Sequence, residues 1–231
     1  GSATAGISSA SVSFSAPSSN GGSAITSYTV TSSPGGITAS GASSPITVSG
    51  LTAGTSYTFT VKANNAAGAS AASTASNSVT PYNVPGAPTA VSATAGNGQA
   101  TVSFTAPSSN GSAITSYTVT SNPGSITASG AASPITLNGL TNGTAYTFTV
   151  VATNAAGNGA ASSASNSATP VLSAPVATAA TSINSSSFTA SWGAVSNATS
   201  YKLYVTSNAA NSIAAAWTFP TFGGSTYCDS T

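Results

Sequence analysis

Charge is what this sequence has least of. In 231 residues the charged side chains are Lys62, Lys202 and Asp229, 1 % of the chain, and there is no histidine and no methionine. Each absence removes a class of function. Nucleic-acid binding works by displacing counterions with many cations, and two lysines form no such patch. One carboxylate without a histidine leaves general acid–base catalysis almost no material, and rules out a carboxylate pair, a Ser-His-Asp set or a His/Cys/carboxylate metal cluster. Tyrosines and serines remain, with nothing present to activate them. As an isolated chain the expectation is no enzyme, no metal and no cofactor.

Other absences narrow the class. No apolar run approaches a membrane-spanning length, so no insertion into a membrane is expected. The start, Gly1-Ser2-Ala3-Thr4, has no basic region followed by an apolar stretch, the mark of a signal peptide. There is one cysteine, Cys228. It is either an incidental thiol or an intermolecular disulfide partner. Disorder usually combines low hydrophobicity with high charge, and this chain has 40 % hydrophobic residues and a net charge of +1. Such a surface also lacks the repulsion, and the edge-blocking lysines and glutamates, that keep β proteins apart. Association is therefore expected.

What is present is a repeat. Leu51-Thr52-Ala53-Gly54-Thr55-Ser56-Tyr57-Thr58-Phe59-Thr60-Val61 returns 89 residues later as Leu140-Thr141-Asn142-Gly143-Thr144-Ala145-Tyr146-Thr147-Phe148-Thr149-Val150. A period of one small domain means tandem copies. Gly54 and Gly143 supply the freedom that a tight corner requires. After the corner the pattern turns to period two, with Tyr57, Phe59, Val61 and Ala63 on one face and Thr58, Thr60 and Lys62 on the other, a strand with one buried face. Phe14 and Tyr28 in the first copy, and Phe104 and Tyr117 in the second, take further core places.

The Leu-x-x-Gly-Thr-x-Tyr corner leading into such a strand resembles the turn between the fifth and sixth strands of fibronectin type III domains. The resemblance implies that each tyrosine hydroxyl reaches back to a backbone group, the tyrosine corner of sandwich domains. Pro17-Ser18-Ser19-Asn20-Gly21, followed by Ile25-Thr26-Ser27-Tyr28, also resembles that family. Phe14 and Phe104 stand where the family usually keeps a tryptophan, and Trp192 restores it in a third copy with Tyr201 after it. The fold expected is all-β: tandem immunoglobulin-like sandwiches, the last one incomplete. The units are 1–81, lacking its first strand segment, 82–170, complete, and 171–231, partial, because no corner motif follows Thr206. Segment Ser76-Asn77-Ser78-Val79-Thr80 is expected to close the first unit. The proline-bearing linker from Thr80 to Pro88 is expected to act as a stiff joint.

The short first unit and partial third unit fit either an excerpt of a longer array or completion by a neighbouring subunit's strand. The tail through Ile213, Trp217, Phe219 and Phe222 is either a donated strand or interface, or a divergent local strand. Val151, standing where the first unit has Lys62, is a further candidate interface residue. Together these readings lead to an extracellular or cell-surface bacterial structural protein, a self-assembling rod forming a filament, sheath or surface layer from copies of itself. The alternative, from the resemblance, is a non-catalytic spacer or adhesive stalk of a larger secreted enzyme, adhesin or phage surface protein, with surface carbohydrate as a possible partner through loops such as 107–112.

Overall fold

The computed structural model describes residues 1–177, 187–195, 198–206, 213–220 and 225–229. The first unit is built from β1 (Ser2–Gly6), β2 (Ser9–Ser13), β3 (Ser27–Ser33), β4 (Thr38–Gly41), β5 (Ile46–Ser49), β6 (Thr58–Asn65) and β7 (Gly68–Ala69). They form two antiparallel sheets, β1-β2-β5 and β4-β3-β6-β7. Side chains alternate across each strand, so every second residue of β2, β3, β5 and β6 enters the space between the sheets. Val12, Val30, Val48, Leu51 and Phe59 are almost wholly buried there. At roughly 1.5–3 kcal/mol for each large apolar side chain removed from water, this layer supplies most of the unit's driving force.

The second unit repeats the plan with β8 (Thr89–Ala95), β9 (Gln99–Thr105), β10 (Ser116–Asn122), β11 (Thr127–Gly130), β12 (Ile135–Asn138), β13 (Thr147–Asn154) and β14 (Gly157–Asn158). Its sheets are β12-β9-β8 and β11-β10-β13-β14. Tyr28 and Tyr117 are buried, as is Phe104, while Phe14 is half-buried. Phe14 and Phe104 each lean on the tyrosine of the facing sheet with ring centroids 4.8 Å apart. That tilted contact lies within the favourable range for aromatic pairs. Lys62 on the outer face of β6 is exposed, whereas Val151 at the matching place on β13 is half-buried, opposite Thr118 of β10.

The closing edge differs from the expected segment. It begins earlier, at Ser70, and it meets β6 at every third residue. Ser70, Ser73 and Ser76 donate their amides to Ala63, Val61 and Phe59 carbonyls. Their hydroxyls accept from the same three residues' amides, each at 3.0 Å. Each hydroxyl then donates to the following carbonyl, as Ser76 does to Asn77 at 2.7 Å. A three-residue repeat is the pitch of polyproline II rather than of a strand, whose period is two. The second unit does the same with Ser162 and Ser165 on Val150 and Phe148.

The tail of the chain also carries strands, where the sequence pattern alone had stopped. In the third unit β15 (Ser187–Ser191) pairs with β18 (Ser225–Asp229), and β16 (Ser200–Thr206) pairs with β17 (Ile213–Pro220). Within the single chain the tail pairs with its own β16. Ile213, Trp217 and Phe219 lie opposite Thr206, Leu203 and Tyr201, and Cys228 lies opposite Phe188. Phe222 is outside the described residues. Among the described residues the third unit has four strands, in two pairs, against seven strands in each of the others.

Candidate functional site: the corners and the joint

The two corners have one geometry. Tyr57 and Tyr146 are buried, and each phenolic oxygen accepts the amide of the residue five places back, Thr52 and Thr141, at 3.1 Å. Gly54 and Gly143 hold φ of 79° and 83°, the left-handed region that a side chain disfavours. Leu51 and Leu140, buried beneath, anchor the start of each corner in the core. The Thr141 amide donated to its oxygen holds the Tyr146 phenol below its ordinary value of 10.0, helped by the Thr141 hydroxyl, opposed by burial, and helped again by Thr144.

The first corner also begins the joint between units. The Gly54 amide donates to Pro81 O at 2.9 Å, which fixes the start of the linker. From there the linker is held on both sides. Toward the first unit, Tyr82 N donates to Gly6 O at 3.1 Å, Ser8 N donates to Tyr82 O at 2.9 Å, and Asn83 Nδ2 donates to Ser8 Oγ at 3.2 Å. Toward the second unit, Asn83 N donates to Asn110 O at 2.8 Å, and Asn110 Nδ2 donates to Val84 O at 2.8 Å. Asn154, 4 % exposed, donates from Nδ2 to Asn83 O at 2.8 Å and to Ser109 and Ser112 carbonyls of the neighbouring turn. Pro81, Pro85 and Pro88 are buried. Gly111 closes the contact, because a Cβ there would lie 2.5 Å from Pro81 O and 2.8 Å from Gly54 N.

The second corner begins a joint of another kind. Gly143 N donates to Pro170 O at 2.8 Å and Val171 N to Gly96 O at 3.2 Å, repeating the start of the first. Beyond that point Val171, Leu172 and Val176 stand 58 %, 43 % and 79 % exposed. In the third unit Trp192 packs on Tyr201 at 5.7 Å between ring centroids, and the Tyr201 hydroxyl accepts from Val195 N at 2.7 Å.

The residues that pattern reading passed over are the polar ones. Asn77 accepts the Ala3 amide at 2.8 Å and donates to its carbonyl at 3.0 Å, lacing the serine edge to β1. Asn166 does the same to Ala93. The signal was there, since Ser-Asn-Ser occurs 89 residues apart at 76–78 and 165–167. Its meaning depends on a partner more than seventy positions away in the chain.

Comparison with known proteins points one way. The fibronectin type III domain model matches residues 2–79 and again 86–168. Chitinase A1 of Niallia circulans is 42 % identical over 125 residues, which is 51 % of this chain and 18 % of that protein. Endoglucanase B of Cellulomonas fimi is 36 % identical over 156 residues, 61 % of this chain and 15 % of that protein. The chain thus spans less than a fifth of the length of either relative. Among solved structures, domains A168–A170 of titin align over 74 % of this chain and 62 % of theirs, at 18 % identity and a TM-score of 0.46. Two corners of one geometry, two sandwiches of one topology and a family model that matches each of them make this chain a member of the fibronectin type III family.

Proposed function

We propose that the chain is a non-catalytic spacer within a larger extracellular bacterial protein, holding the parts at its two ends a set distance apart. The observation that carries this reading is the first joint. A flexible tether would leave the linker backbone to water, whereas here Tyr82, Asn83, Val84 and Gly86 are all hydrogen-bonded to one unit or the other. A strand of ten residues spans roughly 35 Å, so each sandwich adds a step of that order. The similarity to short stretches of a chitinase and an endoglucanase supports a place beside a polysaccharide-degrading domain.

The test is a distance. Nitroxides at Ala42→Cys and Ala131→Cys, with Cys228→Ser removing the native thiol, report on the two units by double electron–electron resonance. A narrow distribution is expected. A broad one, like that of a free tether, removes the spacer reading.

A second reading has its own observation. Few charges and the exposed aliphatic group at 171–176 favour self-association into a filament or surface layer. Sedimentation over a concentration series, with electron microscopy of the most concentrated sample, decides between ordered polymers and separate molecules.

A further inference from the structure

Asparagine followed by glycine occurs six times, at Asn20, Asn97, Asn110, Asn138, Asn142 and Asn158, all among the described residues. In such a pair the glycine nitrogen is well placed to attack the asparagine Cγ, because the glycine has no side chain to shield it. The nitrogen loses its proton, a C–N bond to Cγ forms, and ammonia leaves to give a cyclic imide. Water then opens one of the two imide C–N bonds, leaving an aspartyl or an isoaspartyl residue. The reaction needs an asparagine side chain that is free to turn over the backbone and a glycine N–H that no acceptor holds.

The fold withholds these conditions from most of the pairs. Gly98 N donates to Asn142 Oδ1 at 2.8 Å, and Asn142 Nδ2 donates to Asn97 Oδ1 at 2.9 Å, so these two pairs pin each other. Gly143 N is spent as well, on Pro170 O at 2.8 Å. Asn110 is held at both ends, accepting from Ser108 Oγ at 2.7 Å and donating to Val84 O at 2.8 Å. Asn158 Oδ1 accepts from Thr153 Oγ1, and Gly159 N donates to Ala152 O, both at 2.8 Å. Asn20 is exposed but half held, since its Oδ1 takes Gly22 N at 3.0 Å and Gly21 N donates to Ser19 Oγ at 3.2 Å. Asn138 stands apart. It is the exposed last residue of β12, and among the described residues neither its side-chain amide nor the Gly139 N–H has a hydrogen-bond partner. Gly139 holds φ of 79°, with nothing within 4 Å of the place a Cβ would take. The first unit has Ser49 at the matching position, so only the second carries this pair.

We propose that Asn138-Gly139 is a site of spontaneous deamidation, at which the folded chain acquires an aspartyl or isoaspartyl residue at the end of β12. The consequence is large here because charges are so few. One new carboxylate takes the net charge from +1 to zero. The isoaspartyl product also carries its former side-chain carbon in the main chain, which lengthens the path from position 138 to Leu140. Leu140 is buried and its amide donates to Gly98 O at 2.9 Å, so the added length falls on the start of the second corner. The site follows from which amides the fold leaves free, and it does not depend on the spacer reading.

The experiment is a time course of the full chain in mildly alkaline buffer, folded and in urea, with its peptides mapped by mass spectrometry for amide turned to acid. In the folded chain Asn138 should convert first, at close to its rate in urea, and the product should appear as an acidic variant on isoelectric focusing. Folding should slow Asn97, Asn110, Asn142 and Asn158 about tenfold or more, the equivalent of one held hydrogen bond, with Asn20 in between. Asn138→Ser, which copies Ser49 of the first unit, should remove the early acidic variant. Any of three results overturns the proposal: an Asn138 that folding protects as well as it protects those four, an early acidic variant that survives Asn138→Ser, or another Asn-Gly pair that converts ahead of Asn138 in the folded chain.

Discussion

Gly111 of the second unit stands against Gly54 of the first so closely that a Cβ on Gly111 would lie 2.8 Å from the Gly54 nitrogen and 2.5 Å from Pro81 O. Both glycines also hold positive φ, 84° and 79°. Conformation and contact therefore demand glycine twice over at this point. Gly111→Ala is expected to break the joint as well as strain the turn, at about 1–3 kcal/mol for the backbone term alone. Gly124→Ala is the control, with φ of 87° but only the Ile126 side chain within 4 Å of a new Cβ. The interunit distance distribution should broaden for Gly111→Ala and stay narrow for Gly124→Ala.

Tyr57→Phe removes the acceptor for Thr52 N, and Tyr146→Phe removes that for Thr141 N, while leaving ring packing unchanged. A part-buried amide deprived of its partner costs about 1–3 kcal/mol. Urea midpoints should fall for each variant, with the loss confined to its own unit when the two are followed separately by amide exchange.

The serine edge predicts a graded series. Ser76 is buried, and its hydroxyl holds both Phe59 N and Asn77 O. Ser73 makes the matching pair of bonds but is exposed. Ser76→Ala should cost about 1–3 kcal/mol, because water has no access to replace the hydroxyl, and Ser73→Ala clearly less. Equal losses in chemical denaturation would mean that the hydroxyls are dispensable.

The Tyr146 phenol should ionise below its ordinary value. Its phenol lies below the ordinary value of 10.0 in the folded chain, chiefly through the Thr141 amide, so the folded state releases that proton before the unfolded state does. Between the folded and unfolded values stability therefore rises with pH. The contribution is present above the unfolded value and is lost as pH falls through the folded one. Ultraviolet titration should show an early phenolate phase that Tyr146→Phe abolishes.

The edge also changes an expectation about association. With hardly any lysine or glutamate, the strands seemed to lack the usual guard against edge-to-edge pairing. In the fold, the amides of Ser70, Ser73 and Ser76 that face β6 are spent on it, and a three-residue pitch offers a neighbour no period-two ladder. Geometry stands in for charge along this one edge.

Much of the fold was open to reading because it rests on local rules. Alternation along Tyr57-Thr58-Phe59-Thr60-Val61 specifies a half-buried strand whatever lies opposite, and a Gly three residues before a Tyr specifies the corner. The 89-residue repeat then carries one sandwich to the next. The closing edge was not legible, since a period of three among serines and alanines matches neither the strand nor the helix template. Nor was the grip of Asn83, Asn110 and Asn154 on the linker. The sequence by itself determined the sandwiches and their cores, because burial of alternate apolar residues is decided strand by strand. Only the tertiary structure decided how the first two units are joined, because that depends on single amides meeting carbonyls tens of residues away, and one asparagine in a polar stretch looks like any other until the chain has folded.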